Sequence, residues 1–203
     1  MASTERGERS KQDGIVRAAT VLFRRYGFRK TSVDLIAREA EVAKPTLYAH
    51  FADKEAIFVA VCQHVMDGIL AAAAAASAQP RVVDRIAAIL AAKFTTIFEI
   101  VHASAHAREL LESQAAQARD VVARADAAYT KLLSDALRAA ARAGELTLEP
   151  TPAQLGKLSQ LLMQAGHGAA YGATTAAEHR AHLDALVAAL LASLLPTGKR
   201  ASR

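Results

Sequence analysis

Residues 31–56 read TSVDLIAREAEVAKPTLYAHFADKEA, and the fold turns on how this stretch is divided. Val33, Ile36, Ala37 and Ala40 recur at helical spacing, which predicts the buried face of a helix of barely eight residues. Thr31 followed by Asp34 gives that helix a start like a capping box, with Asp34 in place of the commoner Glu or Gln. The connection EVAK leads into PTLYAHF. Pro45 is tolerated there because amide hydrogens in a first helical turn have no intrahelical acceptor to lose. Asp53 then reads as the N-cap of a further helix.

Upstream, Ile15, Ala18, Ala19, Leu22, Phe23 and Tyr26 form one apolar face of a helix from about Lys11 to Tyr26, ended by Gly27. Three short helices, the last two joined by a tight turn, make a helix-turn-helix pattern. In it Val42, Leu47 and Phe51 face inward. Thr46, Tyr48 and His50 are left outward between Lys44 and Lys54, and these residue types suit phosphates and base edges.

With its continuation to Phe58, this segment resembles the TetR/AcrR family of bacterial transcriptional regulators. The shared features are the threonine-led helix, the short turn, the T-L-Y-x-H-F helix and the D-K-E-A start that follows. The likeness covers roughly residues 11–60. It implies that the T-L-Y-x-H-F helix enters a DNA major groove. By position, Lys44, Pro45 and Thr46 would make base-edge and groove contacts, and Tyr48 and His50 would meet phosphates. Lys54 would add a phosphate contact at the positive end of the next helix, and Thr31 one at the start of the second. Two positions depart from the family's pattern. Glu41 stands where glycine is usual, at a cost of about 1 kcal/mol if the backbone there is left-handed. Leu35 replaces a residue that is usually polar.

The remainder reads as a larger helical body with no convincing strand. Helices are predicted over about 54–77, 81–103, 105–117, 119–143, 152–171 and 176–195, with Pro80, Gly144 and the EPTP run as breaks. The expected architecture is therefore all-α with about nine helices. A DNA-binding domain (1–54) precedes a ligand-binding and dimerisation domain (55–195) and a basic, frayed tail (196–203).

Two stripes in the body matter. Leu183, Leu186, Val187, Leu190, Leu191 and Leu194 line the last helix, and Leu158, Leu162 and Gly166 the one before it. They suit packing inside one chain, or the symmetric four-helix dimer interface that the resemblance implies. Gly166, Gly168 and Gly172 would each cost about 1 kcal/mol in a helix, so close approach of a neighbour, or room for a ligand, should offset them. Met66, Phe94, Phe98, Tyr129, Met163, His167 and Tyr171 lie amid many alanines. They either fill the core or line a pocket for a largely apolar, neutral small molecule, its polar group oriented by His167 and Tyr171.

Charge and composition agree with this division. The net charge of +5 is uneven: residues 1–54 carry 11 Lys/Arg against 7 Asp/Glu, the tail carries three basic and no acidic residues, and the rest is slightly acidic. A basic end suits a polyanion. A single cysteine, Cys62, precludes an intrachain disulfide and suits a reducing, cytoplasmic setting. The hydrophilic N-terminus does not read as a signal peptide, and the longest apolar run, ILAAAAAASA, is shorter than the ~20 residues of a bilayer span, so no membrane role is expected.

His102, His106 and Glu109 have spacing suited to zinc on an unbroken helix, but a break near Ser104 favours a polar helix junction. Glu178, His179 and His182 read as the solvated start of the last helix, and Cys62 as an inert core thiol. The expectation is a homodimeric DNA-binding regulator, acting as a repressor on a palindromic double-stranded operator and released by a small molecule, with no enzymatic activity, metal or cofactor. The alternatives are a metal-dependent helical-bundle enzyme and a DNA-binding protein without an effector.

Overall fold

A computed structural model describes residues 2–103, 116–147 and 151–196. Among them are eight α-helices and no strand: α1 (Ala2–Lys30), α2 (Val33–Glu39), α3 (Lys44–His50), α4 (Lys54–Ala76), α5 (Val82–Ala103), α6 (Ala116–Arg142), α7 (Pro152–Gly168) and α8 (Ala176–Leu191), with a 3₁₀ turn at Ala192–Leu194. The helix expected near 105–117 falls largely outside the described residues. The chain divides into two compact units, Met1–Gly68 with Glu99–Ala125, and Ile69–Phe98 with Asp126–Arg203.

In the first unit, Ile15, Ala19, Leu22 and Phe23 of α1 join Ile36 and Ala37 of α2, Leu47 of α3, Phe51, and Ile57, Phe58 and Val61 of α4 in one buried cluster. α1 starts earlier than its apolar periodicity suggested. Its helical course breaks at Gly27, whose φ of 81° and ψ of 163° are open to glycine. The N-cap of α2 is Ser32 and not Thr31: the Ser32 hydroxyl accepts from the Leu35 amide at 3.1 Å, while Thr31 is buried. Asp53 caps α4 as expected, its carboxylate accepting from the Ala56 amide at 2.7 Å.

α2 closes through Ala40, and Glu41 takes the left-handed conformation (φ 55°), the one non-glycine residue with positive φ among those described. The Val42 amide then returns to the Ala37 carbonyl at 3.0 Å, which turns the chain into α3. A glutamate therefore occupies a corner that favours glycine.

α4 is long and apolar enough, by length and composition, to cross a membrane, although its longest uninterrupted apolar run is far shorter. Ile57, Phe58 and Val61 in its first half are instead buried in the core just described.

In the second unit, α5, α6, α7 and α8 are tied pairwise. The Tyr129 hydroxyl of α6 donates to the Ile89 carbonyl of α5, and Ser134 of α6 meets Ser159 of α7 at 2.8 Å. His179 of α8 shares a hydrogen bond with Thr95 of α5 at 3.1 Å. A Cβ built on Gly166 would fall inside the van der Waals envelope of the Phe94 ring, so this glycine permits the α5–α7 approach.

Two sequence expectations are corrected here. Leu162, Leu183, Val187 and Leu191 are buried within the single chain, so the expected dimer stripe is partly core; Leu158, Leu190 and Leu194 are half-buried and Leu186 is exposed. α7 stops at Gly168, and Gly172 lies in a left-handed turn (φ 76°), which leaves Tyr171 92% exposed and off the helical face of His167. The helix was predicted too long because Gly166, Gly168 and Gly172 were all read as helical positions offset by packing, whereas the helix ends at Gly168.

Replacing Glu41 by Gly is expected to raise the unfolding free energy by roughly 0.5–1 kcal/mol, because the left-handed strain is removed at some cost in chain entropy. Replacing Gly166 by Ala should lower it by about 1–3 kcal/mol through overpacking against Phe94. Urea denaturation of the two variants, with unchanged slope, measures both.

Candidate nucleic-acid interface

α3 is only seven residues long and lacks a side-chain cap, since its N-cap is Ala43. Its position depends on tertiary contacts: Leu47 is fully buried, Phe51 nearly so, and the Phe51 amide donates to the Leu47 carbonyl at 3.0 Å. The other face is open. Lys44 and Pro45 are exposed, Tyr48 is 46% exposed, and Thr46 and His50 are half-buried. Of the three residues expected outward, Tyr48 is thus exposed and Thr46 and His50 are partly covered, with Lys44 and Pro45 exposed beside them.

Lys44 is not loose. Its ammonium stands 2.8 Å from the Asp34 carboxylate of α2, and this hydrogen bond and charge raise its pKa above the usual lysine value.

Thr31 and Lys54 occupy a different setting from the one expected. Thr31 is 1% exposed and its hydroxyl points inward, donating to the Gly27 carbonyl at 2.8 Å. The Lys54 ammonium donates to the Phe28 carbonyl at 3.0 Å and the Thr31 carbonyl at 3.2 Å, and sits 4.4 Å from the centre of the Phe28 ring. Phe28 in turn packs with Phe23 and Phe58, ring centres 5.4 and 5.2 Å away. The two residues hold the corner between α1 and α2 against the start of α4. A phosphate contact through the Thr31 hydroxyl is corrected to this internal role, and two of the three Lys54 donors are already engaged.

The sequence-selected pocket residues are less uniform. Met66 belongs to the first unit and the other six to the second. Phe94, Phe98 and Tyr129 are buried, Met163 is half-buried, and His167 is exposed with its ring edge-on to Phe94 at 4.8 Å. His167 Nδ1 donates to the Met163 carbonyl at 2.9 Å, while Tyr171 stands in solvent.

Sequence reading missed three polar groups in this unit. Lys93 is 4% exposed, paired with Asp126 at 2.6 Å, and its ammonium lies 5.2 and 5.3 Å from the Phe94 and Tyr129 ring centres. His179, expected in solvent, is buried and stacked on Phe98 at 4.8 Å. The signal for Lys93 and Asp126 was present: Lys93 falls within the apolar stripe Ile86–Leu90–Phe94, and Asp126, of opposite charge, lies one turn before Tyr129 and two before Leu133.

Burial pushes the Cys62 thiol up to about 11, which keeps it protonated and unreactive near neutral pH. No group of three potential metal ligands gathers among the described residues. His106 and Glu109 lie outside them, and His102 is exposed on α5.

Comparison with known proteins gives the same reading of the N-terminal end. Residues 15–61 match the family profile described as bacterial regulatory proteins, tetR family. A stretch of 44 residues is 43% identical to the uncharacterized HTH-type transcriptional regulator YhgD of Bacillus subtilis (strain 168), covering 22% of this chain and only 23% of that relative's length. Over most of the chain the fold is shared with a protein from Mesorhizobium loti MAFF303099 assigned to the TetR family (TM-score 0.69, 21% identity, 93% of this chain and 98% of that one). It is also shared with the transcriptional regulator FadR from Bacillus subtilis, solved in complex with stearoyl-CoA (TM-score 0.67, 16% identity, 89% and 98%).

The buried pair in the second unit gives a test of its own. Asp126→Asn leaves the Lys93 ammonium enclosed without a counter-charge and should cost about 3 kcal/mol, whereas Lys93→Met should be close to neutral. Chemical denaturation of both variants checks the asymmetry.

Proposed function

Because the chain belongs to the tetR family of bacterial transcriptional regulators, we propose that it is a homodimeric repressor. In this reading paired α3 helices hold an inverted-repeat operator, and a small, largely apolar ligand in the second unit releases it. The observation that carries the DNA-binding part is the division of α3: Leu47 and Phe51 are spent on the core, while Lys44, Pro45 and Tyr48 are exposed and Thr46 and His50 half-buried around them. Two such helices one turn of DNA apart, about 34 Å, would meet successive major grooves.

Dimerisation is assigned to the outer face of α7 and α8. Leu161 is 41% and Leu186 36% exposed, and half-buried Leu158 and Leu190 lie on the same two helices. The two helices pack against each other within the chain, so a second copy would complete a four-helix bundle.

The effector is assigned to the α5–α7 region around Phe94, Phe98 and Met163. The Lys93–Asp126 pair is internally neutralised, which favours a neutral ligand over a highly charged one. Binding would shift the dimer to a spacing that no longer matches the operator.

Affinity for an operator selected from random duplexes should fall steeply with salt, by about 0.9 log unit per log unit of salt for each phosphate contact. Tyr48→Ala and His50→Ala should weaken binding to every sequence, whereas Lys44→Ala and Thr46→Ala should change which sequence is preferred. A uniform loss in all four variants would sink this assignment of roles. For assembly, Leu161→Asp combined with Leu186→Asp is expected to give a folded monomer by sedimentation, with operator affinity greatly reduced. A dimer that persists at micromolar concentration places the interface elsewhere.

A further inference from the structure

Lys44 opens α3, whose first turn holds no acidic residue. A cation there gains nothing from the helix dipole and loses slightly by it, so helix stability does not explain its presence. Its ammonium reaches across to Asp34 Oδ1 at 2.8 Å, and Asp34 stands in the first turn of α2. The pair therefore bridges the two helices of the helix-turn-helix. Both side chains are more than half exposed, 51% and 62%, a setting in which ion pairs add little to stability. What the pair does fix is the direction of a charge on the outward side of α3.

We propose that Asp34 is a specificity-determining positioning residue, which holds the Lys44 ammonium between α2 and α3 and taxes its use against the phosphates of arbitrary DNA. The inference rests on the DNA-binding reading above. On an unmatched duplex the nearest acceptors for Lys44 are phosphates. To reach them the lysine leaves Asp34, forfeits the pair and leaves a bare carboxylate facing the DNA backbone. On a matched duplex a base-edge acceptor within reach of the held ammonium lets both contacts persist. The penalty falls on wrong sequences more than on the right one, which is discrimination by repulsion.

The test compares wild type, Asp34→Asn, Asp34→Glu, Lys44→Ala and the Asp34→Asn/Lys44→Ala double variant as full-length chains. Each is titrated with the duplex that wild type selects from a random pool and with a scrambled duplex, over a range of salt. Asp34→Asn is expected to bind the scrambled duplex about three- to tenfold more tightly, with the salt dependence steeper by about one released ion. Its affinity for the selected duplex should change by less than about twofold, so the specificity ratio falls. Asp34→Glu should restore the ratio. In the Lys44→Ala background the Asp34→Asn gain should shrink to less than about twofold, because the charge it sets free is gone. An equal gain on both duplexes, or a gain that survives in Lys44→Ala, would mean that Asp34 merely repels DNA and would overturn the proposal. No change on either duplex would do the same. If wild type holds no duplex at all, the DNA-binding reading falls first, and this inference with it.

Discussion

The ammonium of Lys54 lies between the carbonyls of Phe28 and Thr31, above the Phe28 ring, and the helix-turn-helix of the first unit is arranged around that contact. α1 loses its helical course at Gly27, and just beyond it the Phe28 carbonyl accepts from the Thr31 amide at 3.4 Å. Lys54 supplies donors to the Phe28 and Thr31 carbonyls from the first residue of α4. Thr31 turns its hydroxyl back to Gly27 from the other side. Three phenylalanines, one each from α1, the corner and α4, pack beneath. α2 and α3 have seven residues each and could not persist alone, so their angle is inherited from this corner and from Leu47 and Phe51.

Sequence alone went far in this first unit, for a physical reason. Short-range signals decide short-range structure: the Asp53 cap, the tolerated Pro45 and the left-handed Glu41 each depend on a few neighbouring residues. Leu47 and Phe51 follow from helical spacing, and Val42 packs against the same core from the turn. The Thr31/Ser32 assignment failed because both hydroxyls can cap, and burial of Thr31 against α1 chose between them. The inward bonds of Lys54 were not foreseen because its acceptors lie more than twenty residues back in the chain, where no periodicity points.

The second unit was harder to read. An apolar stripe announces that something will cover it and does not say what. Leu183, Val187 and Leu191 are covered by the chain itself, while the same helix leaves Leu186 outside. His179 looked like a solvated helix start, and its partners Thr95, 84 positions away, and Phe98 show that it belongs to the interior. Lys93 and Asp126 were overlooked because the search followed apolar residues and stepped past the charges between them. That pair and the His179–Thr95 bond join α5 to α6 and α8 and, with the Tyr129–Ile89 and Ser134–Ser159 hydrogen bonds, supply the directional contacts of an alanine-rich interior.

The turn at Glu41 has a consequence for how this chain can change over time. Any glutamate codon is one transition from a glycine codon, so relief of the left-handed strain is among the most accessible mutations the gene has. The substitution alters no buried side chain, because Glu41 is exposed. The corner is therefore a reserve: a lineage that acquires damaging substitutions in other helices can recover part of the lost stability there without changing a buried side chain. Changes that cost stability elsewhere in the chain have a means of compensation at this one exposed turn.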